Sequence, residues 1–171
     1  PMTNDSPVDR DGKVPDAARL GDIAAIEHLA IAYAYAVDDR DWVRWEALFA
    51  PDGLVDYRAA GGIAGTPAAV ARWMPDALSV VTFCQHSIST HEIRFSGDDR
   101  ASGRVHVFNR NGLEWEGSAE IIDVGAIYCD EYARHGDRWL INRRVEDTRY
   151  VHGGRFAEIV RSMMPPPRPA G

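Results

Sequence analysis

The sequence has little cysteine and no long hydrophobic run. Cys84 and Cys129 are its two cysteines, and both lie in strand-like runs, which predicts small buried thiols in a reducing compartment and no disulfide framework. No uninterrupted apolar run approaches the ~18 residues that cross a bilayer. No basic-then-apolar leader opens the chain. We therefore expect a cytoplasmic protein without a membrane partner.

An excess of positive charge is also absent. Lys and Arg total 19 against 26 Asp and Glu, which gives a net charge of -7, so a nucleic-acid partner is not expected. The apolar fraction of 45% and the charged fraction of 26% are typical of a globular protein. The length suits one domain with a real core. We predict that domain over residues 18–164, between a flexible tail at 1–17 and a proline-rich tail at 165–171.

Common catalytic signatures are missing as well. The chain contains no phosphate loop, dinucleotide fingerprint or nucleophile elbow. His86 and His91 lie five residues apart and His106 is distant, without clustered Cys or Glu, so the spacing does not favour a metal site. This leaves histidines and carboxylates as proton carriers, and we expect neither a metal nor a cofactor.

An amphipathic helix is predicted from Ala18 to Asp38. Apolar residues recur there at three- and four-residue spacing, forming one stripe of Ile23, Ile26, Ala30, Tyr33, Ala34 and Val37. Asp38 ends the stripe on its inward side. The partial negative charge of a helix C-terminus disfavours an acid there by roughly several tenths of a kcal/mol. A carboxylate in this place needs a cationic partner or a chemical role.

The rest of the chain is predicted to form short helices followed by long strands. Asp41 caps a short helix that supplies core aromatics, and Thr66-Pro67 begins another. Between them, a turn at 51–53 precedes a short strand at 54–57. Long strands are predicted over 81–95, 102–110, 113–132 and 138–149, with turns at 97–99, 111–112 and 135–137, bulges at Gly117 and Gly125, and a last helix over 156–163.

This order of elements predicts an α+β fold. Helices segregated from an antiparallel meander pack on one face of a sheet. Long strands interrupted by glycines bend strongly. We therefore expect a cone-shaped barrel in which a strongly curved, mainly antiparallel sheet wraps around the N-terminal helices and encloses one deep pocket.

An ordered series of short motifs carries a family resemblance. It comprises Asp38-Asp39-Arg40-Asp41-Trp42, Val55-Asp56-Tyr57-Arg58, Gln85-His86, and Tyr132 with Trp139 seven residues on. Spread over roughly residues 20 to 150, the series resembles the scytalone dehydratase-like, SnoaL-like branch of the nuclear transport factor 2-like superfamily. The resemblance implies a cone with a largely apolar pocket. It also implies a homo-oligomer, a dimer or trimer formed through the open sheet face.

The resemblance further implies roles for individual residues. Asp38 would orient His86, His86 would carry a proton next to a carbonyl, and Tyr57 would polarise the substrate oxygen. The residues expected to bind substrate are His106, Asn111, Tyr128 and Trp73. The chain has Val37, Ala126 and Tyr128 where scytalone dehydratase has tyrosine, serine and asparagine. We therefore expect an apolar, cyclic, carbonyl-containing or polyketide-like substrate other than scytalone, handled by a lyase or isomerase.

Several alternatives remain open at the level of sequence. His106 alternates with Val105 and Val107, and alternation alone does not say which face of the strand points inward. Asp38 could cap a turn, His86 could be a core histidine, and Tyr57 could serve packing. In function, the alternatives are a SnoaL-type polyketide cyclase with Asp38 as the main base, and a non-catalytic ligand-binding or assembly module.

Overall fold

The computed structural model describes residues 15–164, and its elements follow the predicted order. They are α1 (Ala17–Asp38), α2 (Trp42–Glu46), β1 (Phe49–Asp56), β2 (Ala64–Gly65), α3 (Pro67–Ala77), β3 (Val81–Phe95), β4 (Arg100–Trp115), β5 (Ser118–His135), β6 (Arg138–Gly153) and α4 (Arg155–Met163). The predicted tails at 1–17 and 165–171 lie outside the described residues except for 15–17, where Asp16 caps α1 and Ala17 is its first residue.

The six strands form one sheet in the order β2-β1-β6-β5-β4-β3. All neighbours pair antiparallel except β1 and β6, which are parallel. Register shifts interrupt the long strands, for example between Ile88 and His91 and between Gly125 and Ala126, and such irregularities bend a sheet. The predicted α+β class with a curved, mainly antiparallel sheet around N-terminal helices is confirmed.

Helix α1 fills the inside of this sheet. The buried members of its predicted stripe include Ile26, Ala30, Tyr33 and Val37, and the helix packs against β3 and β6. By length and composition alone α1 could cross a membrane. In this fold its apolar face is instead the centre of the core.

The end of α1 is fixed by a Schellman motif. Arg40 adopts a positive φ of 56°, its amide bonds the Val37 carbonyl at 3.0 Å, and the Asp41 amide bonds the Ala36 carbonyl at 2.8 Å. The Arg40 guanidinium also donates to the carbonyl of Val81, the first residue of β3. These bonds hold the last turn of α1, and Asp38 with it, beside β3.

The turn predicted at Asn111-Gly112 is wrong. Strand β4 continues through both residues to Trp115, and the hairpin turn is formed by Glu116 and Gly117, both at positive φ. A Cβ on Gly112 would lie 2.2 Å from the Phe83 ring. The glycine therefore serves close packing between strands, which an Asn-Gly pair alone does not reveal.

Other boundaries also differ from the predictions. Gly117, predicted as a bulge, is part of the β4–β5 turn, whereas the predicted bulge at Gly125 is confirmed by a register shift. Residues 51–53, predicted as a turn, lie inside β1. There they interrupt the pairing of β1 with β6, whose register shifts between Phe49 and Leu54.

Candidate active site

A cavity of about 270 Å³ lies between the helices and the inner face of the sheet. One end is lined by groups able to exchange protons or hydrogen bonds: Tyr33, Tyr57, His86, Tyr128 and Glu146. Apolar side chains from α3, α4 and the strands line the rest, among them Met74, Leu113, Ile122, Phe156 and Val160. A small, mainly apolar molecule with one polar edge would fit this distribution.

Asp38 and His86 form the closest acid–base contact at the cavity. The His86 Nδ1 lies 2.6 Å from Asp38 Oδ1, and the His86 backbone amide donates to Asp38 Oδ2 at 3.0 Å. Strand β3 is an edge of the sheet, so its free amide is available to the end of α1. The carboxylate thus binds both the side chain and the backbone of one residue.

This geometry fixes the tautomer of His86. Burial alone would raise the pKa of Asp38, but the hydrogen bonds from the His86 ring and amide outweigh it and hold that pKa below its ordinary value. An ionised carboxylate only accepts hydrogen bonds, so Nδ1 carries the ring proton and donates it. In the neutral form of this ring, Nε2 of His86 is the nitrogen that can accept a proton. The side chain is only 4% exposed and lines the cavity.

Two tyrosines meet at the same end of the cavity. The hydroxyls of Tyr33, from α1, and Tyr57, which follows β1, lie 2.8 Å apart. Burial raises the pKa of both phenols, so both are neutral near pH 7. The ring of Tyr33 also contacts the His86 ring edge-on, with centroids 6.1 Å apart. One hydroxyl of the pair is free to donate to an oxygen in the cavity.

A buried ion pair lies behind these tyrosines. The Arg144 guanidinium binds both carboxylate oxygens of Asp130, at 2.8 and 2.6 Å, and both side chains are 0% exposed. The guanidinium also lies 4.2 Å from the ring centre of Tyr33 and 4.3 Å from that of Tyr128. Arg144 therefore supports the aromatic wall of the cavity.

Glu146 is a second carboxyl group at the cavity. Burial raises its pKa to about 7, although the hydrogen bond from the Thr148 hydroxyl, 3.0 Å long, and the charge of Arg144 oppose the shift. The environments of Asp38 and Glu146 thus move their pKa values in opposite directions. One acid is held ionised and the other is partly protonated at neutral pH.

The structure brings most of the predicted site residues together. His86, Tyr57, Asn111, Tyr128 and Trp73 line the cavity, and Asp38 contacts His86 from behind. Asn111 and Tyr128 are 6% and 3% exposed.

His106 lies elsewhere, exposed on the outer face of β4, while its neighbours Val105 and Val107 are buried on the inner face. The expectation that His106 binds substrate in the cavity is therefore corrected. Strand alternation places it on the far side of the sheet.

Sequence reasoning missed Tyr33, Arg144 and Glu146. Tyr33 belongs to the predicted core stripe, and its role depends on the hydroxyl of Tyr57, a contact with a distant segment that no local spacing indicates. Arg144 and Glu146 alternate on β6 with Arg143 and Asp147. With charged residues on both faces, no polarity difference identifies the inner one.

The described part of the chain has no group of three or more His, Cys, Asp or Glu arranged to hold a metal ion.

Comparison with known proteins places the chain in a family. The profile of the SnoaL-like domain matches residues 18–145. The chain belongs to the SnoaL-like family. An uncharacterised protein of Mycobacterium tuberculosis, Rv2910c, is 32% identical to this SnoaL-like chain over 136 residues, which cover 80% of the chain and 91% of that protein.

Solved structures share the same fold. A type 2 hexachlorocyclohexane dehydrochlorinase, LinA, superposes with a TM-score of 0.74 at 22% identity, over 82% of this chain and 93% of that chain. A scytalone dehydratase-like protein of Novosphingobium aromaticivorans gives a TM-score of 0.69 at 23% identity, over 79% and 89%. The SnoaL-like chain therefore has the cone fold of the nuclear transport factor 2-like proteins.

Proposed function

We propose that this SnoaL-like protein is a cofactor-independent acid–base enzyme, a lyase or isomerase acting on a small cyclic carbonyl compound. The observation that carries the proposal is the 2.6 Å contact between Asp38 and His86, with the imidazole lining the same cavity as Tyr57. A proton acceptor and a hydroxyl donor facing one void are what proton abstraction next to a carbonyl requires.

In the proposed mechanism, His86 Nε2 removes a proton from the carbon next to the carbonyl. Asp38 holds the ring in the reactive tautomer and stabilises the imidazolium that forms. A hydroxyl of the Tyr33–Tyr57 pair donates to the carbonyl oxygen as it gains negative charge. A neutral phenol suits this role because it stabilises the enolate without being charged in the resting enzyme.

The open cavity supports catalysis over an assembly module. In such a module we would expect tryptophan and phenylalanine side chains to fill the void. The aromatic residues Trp45 and Phe49 pack against each other and against Tyr33, in the core beside the cavity, and the space in front of His86 is left open. A polyketide cyclase in which Asp38 is the main base is less well supported, because His86 shields Asp38 from the cavity.

Self-association and a cytoplasmic location remain part of the proposal. The outer face of the sheet carries partly exposed apolar side chains: Phe83, Phe108, Ile121 and Tyr150. Such a face is suited to contact with another copy of the chain.

The proposal is tested by proton exchange on cyclohexanone. We expect the wild-type protein to accelerate exchange of the α-protons for deuterium in D₂O, followed by NMR. His86→Ala and Asp38→Asn should each lower the rate by about 10²-fold or more. His152→Ala and Asp39→Asn change the same residue types at exposed positions and should leave the rate unchanged. No exchange by the wild-type protein, or wild-type rates in His86→Ala, would overturn the proposal.

A further inference from the structure

We propose that Glu146 is a general acid that protonates the departing hydroxyl group of a β-hydroxy carbonyl substrate, which makes the reaction a dehydration. This inference rests on the proposed function, since it needs a base and an oxygen-binding pair in the same cavity. It goes further, because it chooses elimination of water over isomerisation and cyclisation and names the leaving group.

The polar groups used in this step come from three different walls of the cavity. His86 belongs to β3, whereas Glu146 belongs to β6, and strands β4 and β5 separate them in the sheet. The Tyr33–Tyr57 hydroxyl pair is supplied from α1 and from the residue after β1. A ring bound between these walls can present its carbonyl, its α-carbon and its β-substituent to three different groups.

A further observation is the lack of a counter-ion for Glu146. Within residues 15–164 its carboxyl group has no ion pair; Thr148 donates to it at 3.0 Å. The charged group nearby, Arg144, already binds both oxygens of Asp130. Tyr33, Tyr57 and Tyr128, the titratable groups that face it from the other elements, are neutral phenols. A carboxyl group in such surroundings favours its protonated form.

The proposed dehydration transfers one proton from the substrate to His86 and one from Glu146 to the leaving group. His86 Nε2 takes the α-proton, and the electron pair of that C–H bond forms the enolate, whose oxygen is held by the tyrosine hydroxyls. The enolate then collapses to a C=C bond conjugated with the carbonyl, and the β C–O bond breaks. Glu146 gives its proton to the departing hydroxyl, which leaves as water. The proton on His86 returns to Glu146 through solvent, so the cycle releases one alkene and one water.

The test compares two leaving groups on one ring. 3-Hydroxycyclohexanone expels hydroxide, which needs protonation, whereas 3-acetoxycyclohexanone expels acetate, which does not. We expect Glu146→Gln to lower the elimination of water by about 10²-fold or more. The acetoxy elimination and the α-proton exchange of cyclohexanone should stay within a few-fold of wild type. In the wild-type enzyme, elimination of water should decline as the pH rises through about 7, and α-proton exchange should not.

Gln keeps the size of Glu146 and can still bind Thr148, so a folding defect is not expected, and circular dichroism checks this. Glu131→Gln, the same change at an exposed position of β5, is the matched control and should leave all three rates unchanged. Equal losses in all three reactions would assign Glu146 to positioning and overturn the proposal, as would an unchanged rate of water loss. Exchange without water elimination in the wild-type enzyme would also overturn it. Absence of exchange would instead defeat the proposed function itself.

Discussion

Two short contacts between a carboxylate and a nitrogen-bearing side chain have equal length and differ in almost every other respect. The shortest contact in each of the pairs Asp38–His86 and Asp130–Arg144 is 2.6 Å. Asp130 and Arg144 are 0% exposed, and a guanidinium does not lose its charge in a protein. Asp38 is 21% exposed, and its partner is an imidazole that lines the cavity.

The difference shows that a short ion pair by itself indicates no function. In the Asp130–Arg144 pair the guanidinium keeps its charge, so it cannot exchange a proton with a substrate and is suited to holding structure. In the Asp38–His86 pair the imidazole can take up and release a proton, and it lines the cavity where a substrate can reach it. Access to the cavity and the ability to titrate, together, distinguish a candidate catalytic pair from a structural one.

Breaking the structural pair should give the largest effect on stability. Arg144→Met leaves Asp130 buried without a counter-ion, and we expect a loss of about 3–5 kcal/mol in the free energy of unfolding, measured by urea denaturation. Arg143→Met, which breaks an exposed pair with Glu131, should cost at most about 1 kcal/mol. A double variant, Asp130→Leu with Arg144→Met, should regain much of the loss. A loss below about 1 kcal/mol for Arg144→Met would contradict the structural role.

Tyr33 contacts both pairs, so removing its hydroxyl group distinguishes an effect on stability from an effect on activity. Its ring lies over Arg144 and against His86, and its hydroxyl binds Tyr57. Tyr33→Phe keeps the ring contacts and should change the free energy of unfolding by at most about 1.5 kcal/mol, the size of one hydrogen bond. The exchange rate on cyclohexanone should fall about tenfold or more. Tyr150→Phe, at an exposed position, is the control. If Tyr33→Phe lost much stability and kept the wild-type exchange rate, the Tyr33 hydroxyl would be structural and not catalytic.

The smallest effect is expected on how the free energy of unfolding decreases at acidic pH. The pKa of Asp38 lies below its ordinary value of 3.8 in the folded state. Its contribution to stability is therefore present above about pH 4 and is lost as the pH falls through the folded pKa. Asp38→Asn should show a flatter decline in stability on acidification than the wild type, followed by urea denaturation from pH 6 to pH 2. Identical slopes would mean that His86 does not stabilise the carboxylate.

The sequence allowed more of the fold to be predicted than of the site. The bounds of β3 and the starts of α1 and α3 followed from periodicity and caps, which act locally. The sequence predicts a role for Asp38 because an acid at the C-terminal end of an apolar helix stripe is unfavourable, and this can be read from the neighbouring residues alone.

The incorrect or missing predictions concern residues whose positions depend on contacts between distant segments. Gly112 lies in a strand because Phe83, from the neighbouring strand, occupies the space of a side chain. Whether the His106 side chain points into the cavity depends on which face of the sheet α1 covers. Glu146 and Arg144 were hidden because β6 carries charges on both faces, and burial decides which of them face the interior.

The Schellman motif at the end of α1 makes the candidate site sensitive to the length of the helix. Each residue of an α-helix turns the chain by about 100°. The amide hydrogen bonds of Arg40 and Asp41 end α1 at a fixed number of residues after its last buried side chain. A single residue inserted between Val37 and Asp38 would rotate the carboxylate by about 100° around the helix axis, away from the imidazole. Insertions and deletions in this short stretch should therefore abolish activity even where the protein still folds.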